Sequence, residues 1–279
     1  MAEEIIPKVC AMGLDPQRPP RALWLRGALF FIVMAVSPLH AEPQPLEEAL
    51  ADLRAILPVR TALRDARTPQ VIELARDYLS RHPNGRYADE ALLALGQAEA
   101  SNDRPAEALK ALNRLSSQHP DSPLRLLARM NSLPLLEATG KRTEALALAD
   151  DLAQTTPHSI YASQALLFQG RQAYAAQDYP RVVSLLKSQT ALDSLSETDQ
   201  ADYFRLLALA LLRTGNSAWD PLRQYLQRKD SAAHKAEVLM EVAGVALKAG
   251  RRDEALGYYK TVAERYPEPG VLPEARFQY

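Results

Sequence analysis

The sequence has a single cysteine, few glycines and no excess of either charge, and each shortage excludes a class of protein. Among 279 residues there are 1 Cys, 5 His and 11 Gly. One thiol cannot form a disulfide framework or a zinc cluster, and the histidines do not show metal-ligand spacing. Neither the G-x-G-x-x-G motif nor the G-x-x-x-x-G-K-[ST] motif occurs, so a nucleotide-binding loop is not predicted.

The charge balance argues against binding to nucleic acid. There are 33 Lys and Arg residues against 34 Asp and Glu residues, whereas a protein that binds nucleic acid or an anionic membrane needs a basic excess to displace counterions. The chain also lacks the G-x-S-x-G and H-E-x-x-H motifs. We therefore predict a protein that is not an enzyme and has no catalytic residue, no cofactor and no metal site.

The beginning of the sequence has the pattern of a bacterial secretory signal peptide. Arg21 and Arg26 precede an apolar run at 27–36, and the small residue Ala41 follows. The run is shorter than the ~18 apolar residues that span a bilayer, and the order of charged, apolar and small residues is typical of a cleaved signal. We predict cleavage between Ala41 and Glu42, which divides the chain into a leader, 1–41, and a domain, 42–279.

The leader also predicts where the mature protein resides. Cys10 lies upstream of the apolar run, so it cannot serve as the lipid-anchored cysteine that follows such a run. We expect an unlipidated, soluble periplasmic protein with no stable membrane span and no thiol after cleavage. Met12 is an alternative start, and a long natural leader is the other explanation.

The rest of the sequence repeats itself. A small residue recurs twelve positions before an Ala, and that Ala precedes a Pro by twelve positions; the two full instances are Gly96, Ala108 and Pro120, and Ala243, Ala255 and Pro267. Gly140, Gly215 and Gly250 lie between apolar-periodic stretches, where a left-handed residue can end one helix before the next begins. Such a period predicts stacked structural repeats.

Apolar residues recur at helical spacing, and no stretch shows sustained alternation, so the fold class is all-α. Thr68-Pro69 and Asp220-Pro221 are predicted to be an N-cap followed by Pro at the first helical position. The predicted helices form six pairs: 45–66 and 68–81, 87–102 and 105–118, 123–139 and 142–155, 159–177 and 180–190, 197–214 and 221–229, 233–249 and 252–265.

Four positions of this pattern resemble the tetratricopeptide repeat, a helix pair with a small residue at position 8, Ala at 20, a bulky residue at 24 and Pro at 32. Gly96, Ala108, Leu112 and Pro120 fit it in one repeat. The stretch at 82–96 is similar to bacterial envelope members of this family, of the BamD-like and CpoB types. The resemblance implies a right-handed superhelical solenoid of about six antiparallel helix pairs.

Some parts of the sequence depart from the repeat pattern. The first and fifth pairs fit poorly, and in the fifth we place Trp219 and Asp220 at position 20, where Ala is expected. Pro134 lies inside a predicted helix and deprives the carbonyl of Met130 of its helical donor, so a kink is predicted there.

The resemblance also implies a binding groove lined by the first helix of each pair. The residues projected onto it are Asn131, Phe168, Arg171, Tyr174, Arg205, Arg213, Met240 and Lys248. Four of them, Arg171, Tyr174, Arg205 and Arg213, form a positive, aromatic-edged strip that suits an acidic segment or a C-terminal carboxylate. The alternative is that these side chains form solvated faces or salt bridges within the solenoid.

These features favour a periplasmic scaffold of the bacterial cell envelope that binds protein or peptide partners in the groove. The alternative is an accessory helical domain or subunit for peptidoglycan or polysaccharide processing or export.

The end of the sequence raises a separate expectation. Residues 273–279 occupy the first positions of a seventh repeat, so Tyr258, Val262 and Phe277 are expected to be only partly covered. A truncated reading frame or a docking edge for a second copy or partner would each explain this uncapped end.

Overall fold

The computed structural model describes residues 46–188 and 191–266, and these residues form twelve α-helices and one short 3₁₀ turn, Leu192–Ser194. The predicted leader and cleavage site, Pro267 and the predicted seventh repeat with Phe277 lie outside the described residues. No strand occurs in the described ranges. The prediction of an all-α chain built from six helix pairs is therefore confirmed.

The helices are numbered in chain order, and the two helices of each pair are called its A helix and its B helix. Their bounds are α1 Leu46–Arg64 and α2 Thr68–Arg81, α3 Ala88–Ser101 and α4 Pro105–Gln118, α5 Arg125–Ala138 and α6 Arg142–Thr155, α7 Ile160–Ala175 and α8 Tyr179–Lys187, α9 Glu197–Arg213 and α10 Trp219–Gln227, α11 Ala232–Lys248 and α12 Arg252–Arg265.

The described residues divide into two compact units, one ending at residue 125 and the other beginning at residue 126. In the first unit, α3 packs against both α2 and α4, and the shared core includes the buried side chains of Leu92, Leu112 and Leu115. The Arg60 guanidinium forms an ion pair with Glu90, with 2.6 Å between Nη2 and Oε2. These contacts join the two helix pairs of this unit.

Small residues allow α3 and α4 to approach closely, as the repeat spacing predicts. Ala108 is fully buried, and a Cβ added to Gly96 would lie 2.6 Å from Cδ2 of Leu112. In the second unit Gly170 faces Leu186 in the same way, with 3.0 Å between the added Cβ and Cδ2. The small residue at position 8 therefore makes room for the bulky residue at position 24.

The same substitution at two helical glycines should have opposite effects on stability. Gly96→Ala places a methyl group against Leu112, and we expect the overpacking to lower the free energy of unfolding by about 1–3 kcal/mol. Gly244 lies in the interior of α11 with nothing within 4 Å of an added Cβ, so Gly244→Ala should raise that free energy by about 0.5–1 kcal/mol. Urea denaturation of both variants measures the difference, and a stabilising Gly96→Ala would contradict the close packing.

A left-handed residue closes the turn between the A helix and the B helix of each pair. Gly140, Gly215 and Gly250 have φ values of 77°, 80° and 76°, which confirms their predicted role. In three other pairs the same turn contains a non-glycine residue with positive φ: Ala66, Asp103 and Gln177. Ala66, Asp103, Gly140 and Gln177 follow one another at intervals of 37 residues. The turn geometry therefore repeats even where glycine is missing.

The start of the fifth B helix differs from the prediction. Helix α10 begins at Trp219, and the residue before it is Ala218, so Asp220 lies in the first turn and is not the N-cap. The fully buried Leu222 occupies the fourth helical position, which in α4 holds Ala108. Placing Trp219 and Asp220 at position 20 was therefore wrong. Similarly, α2 begins at Thr68 itself, and the N-cap residue is Arg67.

Two residues near the end of the described chain are better covered than predicted. Tyr258 is 2% exposed and Val262 is fully buried. The ring of Trp219 stacks on the ring of Tyr258 with 5.9 Å between centroids, and this contact replaces the expected exposure of Tyr258. The expectation that these two side chains are left partly uncovered was wrong.

Helix α5 runs from Arg125 to Ala138 through Pro134. Proline has no amide hydrogen, so the Met130 carbonyl cannot accept the usual bond from the residue four positions later. The predicted kink stays a prediction.

Candidate partner-binding groove

The residues predicted to line the groove lie on four A helices of the second unit. Asn131 lies on α5, Phe168, Arg171 and Tyr174 on α7, Arg205 and Arg213 on α9, and Met240 and Lys248 on α11. Helix α9 contacts both α7 and α11. Helices α7, α9 and α11 are therefore neighbours, and side chains projecting from their common face can meet.

Charged side chains of α7 and α9 form an arginine–aspartate cluster, made of Arg171, Asp199, Asp202 and Arg205. Arg171 donates from Nε to Asp202 over 2.5 Å and from Nη2 to Asp199 over 3.1 Å. Arg205 donates from Nη2 to the other carboxylate oxygen of Asp202 over 2.5 Å. One aspartate thus binds two guanidinium groups with charge-assisted hydrogen bonds.

The electrostatics of this cluster favour the charged form of Asp202. Burial alone would raise the pKa of the Asp202 carboxyl, but the charges of Arg171 and Arg205 and their hydrogen bonds outweigh burial and lower that pKa. The pKa of Arg205 is raised because the attraction of Asp202 outweighs the opposing effect of burial. The cluster is therefore a fixed network of ion pairs under ordinary conditions.

A second group of side chains links α7 to α11 across the intervening repeat. We call it the Tyr174–Glu241 contact, made of Tyr174, Tyr179, Arg213 and Glu241. The Tyr174 hydroxyl donates to Oε1 of Glu241 over 3.2 Å, although the two residues are 67 positions apart. Arg213 Nη2 lies 3.9 Å from the same oxygen. The A helices of the fourth and sixth pairs thus come within side-chain reach of each other.

Aromatic packing fixes the position of this contact. The rings of Tyr174 and Tyr179 meet edge to face with 5.6 Å between centroids, and the Arg213 guanidinium lies 5.5 Å from the centroid of Tyr179. Burial, together with the charge of Glu241 and the hydrogen bond to it, raises the pKa of the Tyr174 hydroxyl to about 12. Tyr174 therefore stays protonated near neutral pH and acts as a hydrogen-bond donor.

The predicted positive strip is, in the structure, a neutralised surface. Arg171 and Arg205 are paired with aspartates, and Arg213 lies beside Glu241. The cations of the strip thus face carboxylates of the same unit. This arrangement is the salt-bridge alternative described above.

The remaining predicted groove residues have different surroundings. Phe168 is 8% exposed and belongs to the buried surface of α7, so its ring cannot form an open groove wall, and its assignment to the groove lining is corrected. Met240 is half-buried and packs against the core of the unit. Asn131 is half-buried, and its Nδ2 has no hydrogen-bond partner among the described residues. Lys248 is exposed.

The sequence analysis did not select Asp199 as a site residue, although the sequence contains a local pattern that marks it. Ser196 and Asp199 have the spacing of a capping box, and the Ser196 side chain accepts a hydrogen bond from the Asp199 amide over 3.1 Å. Its hydroxyl also donates to the Asp199 carboxylate over 2.9 Å. The cap at the start of α9 therefore fixes the carboxylate that Arg171 binds.

Within the described ranges no three His, Cys, Asp or Glu side chains are grouped so that they could hold a metal ion. Among the helices described, none combines the length and the apolar character needed to cross a membrane.

Comparison with known proteins relates the chain to a repeat family. Residues 89–132 and residues 237–269 each match the tetratricopeptide repeat family. The chain does not match a curated protein. Each matched segment covers most of one of the A-to-B helix pairs that the spacing of small residues predicts.

A solved structure with a similar fold supports this assignment of the helices. PilW, described as a widely conserved type IV pilus biogenesis factor, is 18% identical, with a TM-score of 0.52 over 84% of this chain and 100% of PilW. A tetratricopeptide repeat protein from Parabacteroides merdae is 13% identical, with a TM-score of 0.47 over 82% of this chain and 98% of that protein. The described part of the chain thus consists of twelve paired helices, and two segments of the chain match the tetratricopeptide repeat family.

Proposed function

We propose that this protein is a periplasmic scaffold of the bacterial cell envelope that holds segments of partner proteins along the A helices of its second unit. Tetratricopeptide repeat proteins generally mediate protein–protein interactions, because stacked repeats offer an extended surface formed by successive A helices. The observation that carries the proposal is the Tyr174–Glu241 contact. It brings three A helices, α7, α9 and α11, to one polar and aromatic surface.

The composition of this surface suits a polypeptide segment better than a small substrate. It offers guanidinium groups, carboxylates and a tyrosine hydroxyl beside the Tyr174 and Tyr179 rings. Tyrosine and arginine are the residues that contribute most to protein interfaces.

Two observations support the envelope as the setting. The pattern of basic, apolar and small residues at 21–41 fits a secretory signal. The fold is similar to that of PilW, a type IV pilus biogenesis factor. In this proposal the scaffold serves the assembly of envelope complexes.

Site-specific photocrosslinking tests the proposed surface. A photoreactive residue replacing Lys248, which is exposed on α11, should crosslink to partner proteins in the periplasmic fraction of the producing bacterium. The matched control replaces Gln227, which is exposed on the B helix α10. We expect protein adducts at position 248 and at least about fivefold fewer at position 227, because a partner that lies along the A helices does not reach α10.

Other outcomes would contradict the proposal. Equal crosslinking at the two positions would show that the A-helix surface is not the binding surface. Sedimentation of the full chain with purified peptidoglycan, combined with an absence of protein adducts, would favour the accessory role in peptidoglycan processing instead.

A further inference from the structure

The three arginines near the groove differ in how strongly carboxylates of the protein bind them. Arg171 and Arg205 form hydrogen bonds of 2.5 Å to Asp202, whose side chain is only 18% exposed. Arg213, by contrast, is 3.9 Å from Glu241, and both side chains are about 40% exposed. A partner that binds Arg213 therefore disrupts much weaker ion pairing within the protein than a partner that binds Arg171 or Arg205.

The carboxylate of Glu241 shows which donors bind an acidic group on this surface. Its Oε1 accepts a hydrogen bond from the Tyr174 hydroxyl over 3.2 Å and faces the Arg213 guanidinium. Because Tyr174 keeps its proton and Arg213 its charge near neutral pH, the two donors form a receptor for one carboxylate. In this structure that carboxylate comes from the protein.

We propose that the Tyr174 and Arg213 donors recognise a carboxylate of an extended acidic segment in a partner protein, and that Glu241 occupies their site until that segment binds. This inference rests on the proposed function and specifies the chemistry of the partner. Glu241 lies on exposed surface, so its side chain can turn into solvent when the partner carboxylate replaces it.

The charges on either side of Glu241 determine towards which end of α11 the partner segment extends. Lys248 follows Glu241 by seven residues, which is about two helical turns, so it lies on the same face of α11 about 10.5 Å away. Lys248 is exposed and makes no ion pair within the part of the chain that the structure describes. Glu237, one turn before Glu241, is exposed and would repel an acidic group.

This charge order predicts the spacing of the partner's acidic residues. A segment in the extended polyproline II conformation rises by about 3.1 Å per residue and has three residues per turn, so two carboxylates three residues apart lie on one face and nearly match the separation between Glu241 and Lys248. The first would bind Tyr174 and Arg213, and the second would lie near Lys248. The partner motif is therefore an acidic residue, two intervening residues and a second acidic residue.

Fluorescence anisotropy with a defined peptide tests the inference. The probe is a fluorescein-labelled peptide of sequence Gly-Asp-Ser-Gly-Asp-Ser, and its matched control has Asn at both Asp positions. The full chain is compared with three variants, Glu241→Gln, Glu237→Gln and Arg213→Gln, each checked by thermal melting. Glu237→Gln is the control for net charge, because it removes the same charge one turn away.

We expect Glu241→Gln to bind the Asp peptide about 3–10-fold more tightly than the unmodified chain, since the carboxylate that competes for Tyr174 and Arg213 and repels the peptide is removed. Glu237→Gln should change the affinity by less than about twofold, because its charge is more distant and screened. Arg213→Gln should distinguish the Asp peptide from the Asn peptide much less than the unmodified chain does, because only Lys248 remains as a cation beside the bound carboxylates.

Three results would overturn the inference: equal binding of the Asp and Asn peptides, unchanged or weaker binding by Glu241→Gln, or the same gain for Glu237→Gln as for Glu241→Gln. None of them affects the crosslinking at position 248, which tests the proposed scaffold function separately. If the chain crosslinks to partners at position 248 but does not bind the Asp peptide, the proposed scaffold function stands and the proposed acidic motif is rejected.

Discussion

Replacing Ala108 with leucine is expected to lower the free energy of unfolding by about 1–3 kcal/mol, because the larger side chain overpacks a fully buried position. Ala108 lies where α3 and α4 cross, and its carbonyl oxygen would be 3.4 Å from a Cβ at Gly96. No space exists there for three more carbon atoms. For a chain of this size the loss should appear as a decrease in melting temperature of about 2–4 °C per kcal/mol.

A neighbouring alanine provides the matched control. Ala106 is exposed on the same helix, and Ala106→Leu should change stability by no more than about 0.5 kcal/mol. Thermal and urea denaturation of both variants would separate overpacking from a general effect of leucine on α4. Equal melting temperatures for the two variants would show that the assigned crossing of α3 and α4 is wrong.

Replacing Asp202 with asparagine is expected to lower the free energy of unfolding by about 2–3 kcal/mol, somewhat less than for a fully buried ion pair. Arg205 would lose its carboxylate partner, and Arg171 would retain only Asp199. The guanidinium groups of both arginines are about one quarter exposed, so water compensates part of the loss. Urea denaturation near neutral pH measures the change.

The matched control for this variant is Asp220→Asn. Asp220 pairs with Arg223 over 2.9 Å, but its side chain is 80% exposed, so its loss should cost no more than about 1 kcal/mol. A destabilisation of equal size in the two variants would contradict the structural role of the arginine–aspartate cluster.

The contribution of Asp202 should also depend on pH in a defined direction. Arg171 and Arg205 outweigh burial and lower the pKa of Asp202 below the value of about 3.9 in the unfolded chain. The stabilisation is therefore fully present above that value and is lost as the pH falls through the lower pKa of the folded state. The difference between the unmodified chain and Asp202→Asn should stay constant from pH 7 to pH 5 and shrink below about pH 4.

Much of the helix-pair architecture follows from the sequence because its signals are local. The spacing of Gly96, Ala108 and Leu112 marks a crossing of two helices joined by a short turn, and the structure places these residues there. Gly140, Gly215 and Gly250 mark turns through their backbone conformation alone. Where Asp103 or Gln177 takes the same conformation, the local signal is weak, and only the repeat period indicates the turn.

The candidate groove depended on contacts between repeats, which local patterns do not encode. The family's positions selected residues of the A helices as the groove lining, but that selection includes both the buried Phe168 and the exposed Lys248. The start of α10 was misplaced because Asp220-Pro221 has the form of a helix cap, whereas packing of Leu222 in the core sets the register of the helix.

The sequence by itself determined the fold class, the number of helix pairs, the positions of most turns and the residues that permit close helix crossings. Each of these depends on residues within about 40 positions of one another, through periodicity, backbone conformation and side-chain size. Only the tertiary structure decided that Asp202 binds two arginines and that Tyr174 reaches Glu241, 67 residues further along the chain. Which charges meet across stacked helices depends on the angle and register of that stacking, and these are set jointly by the packing of many core side chains.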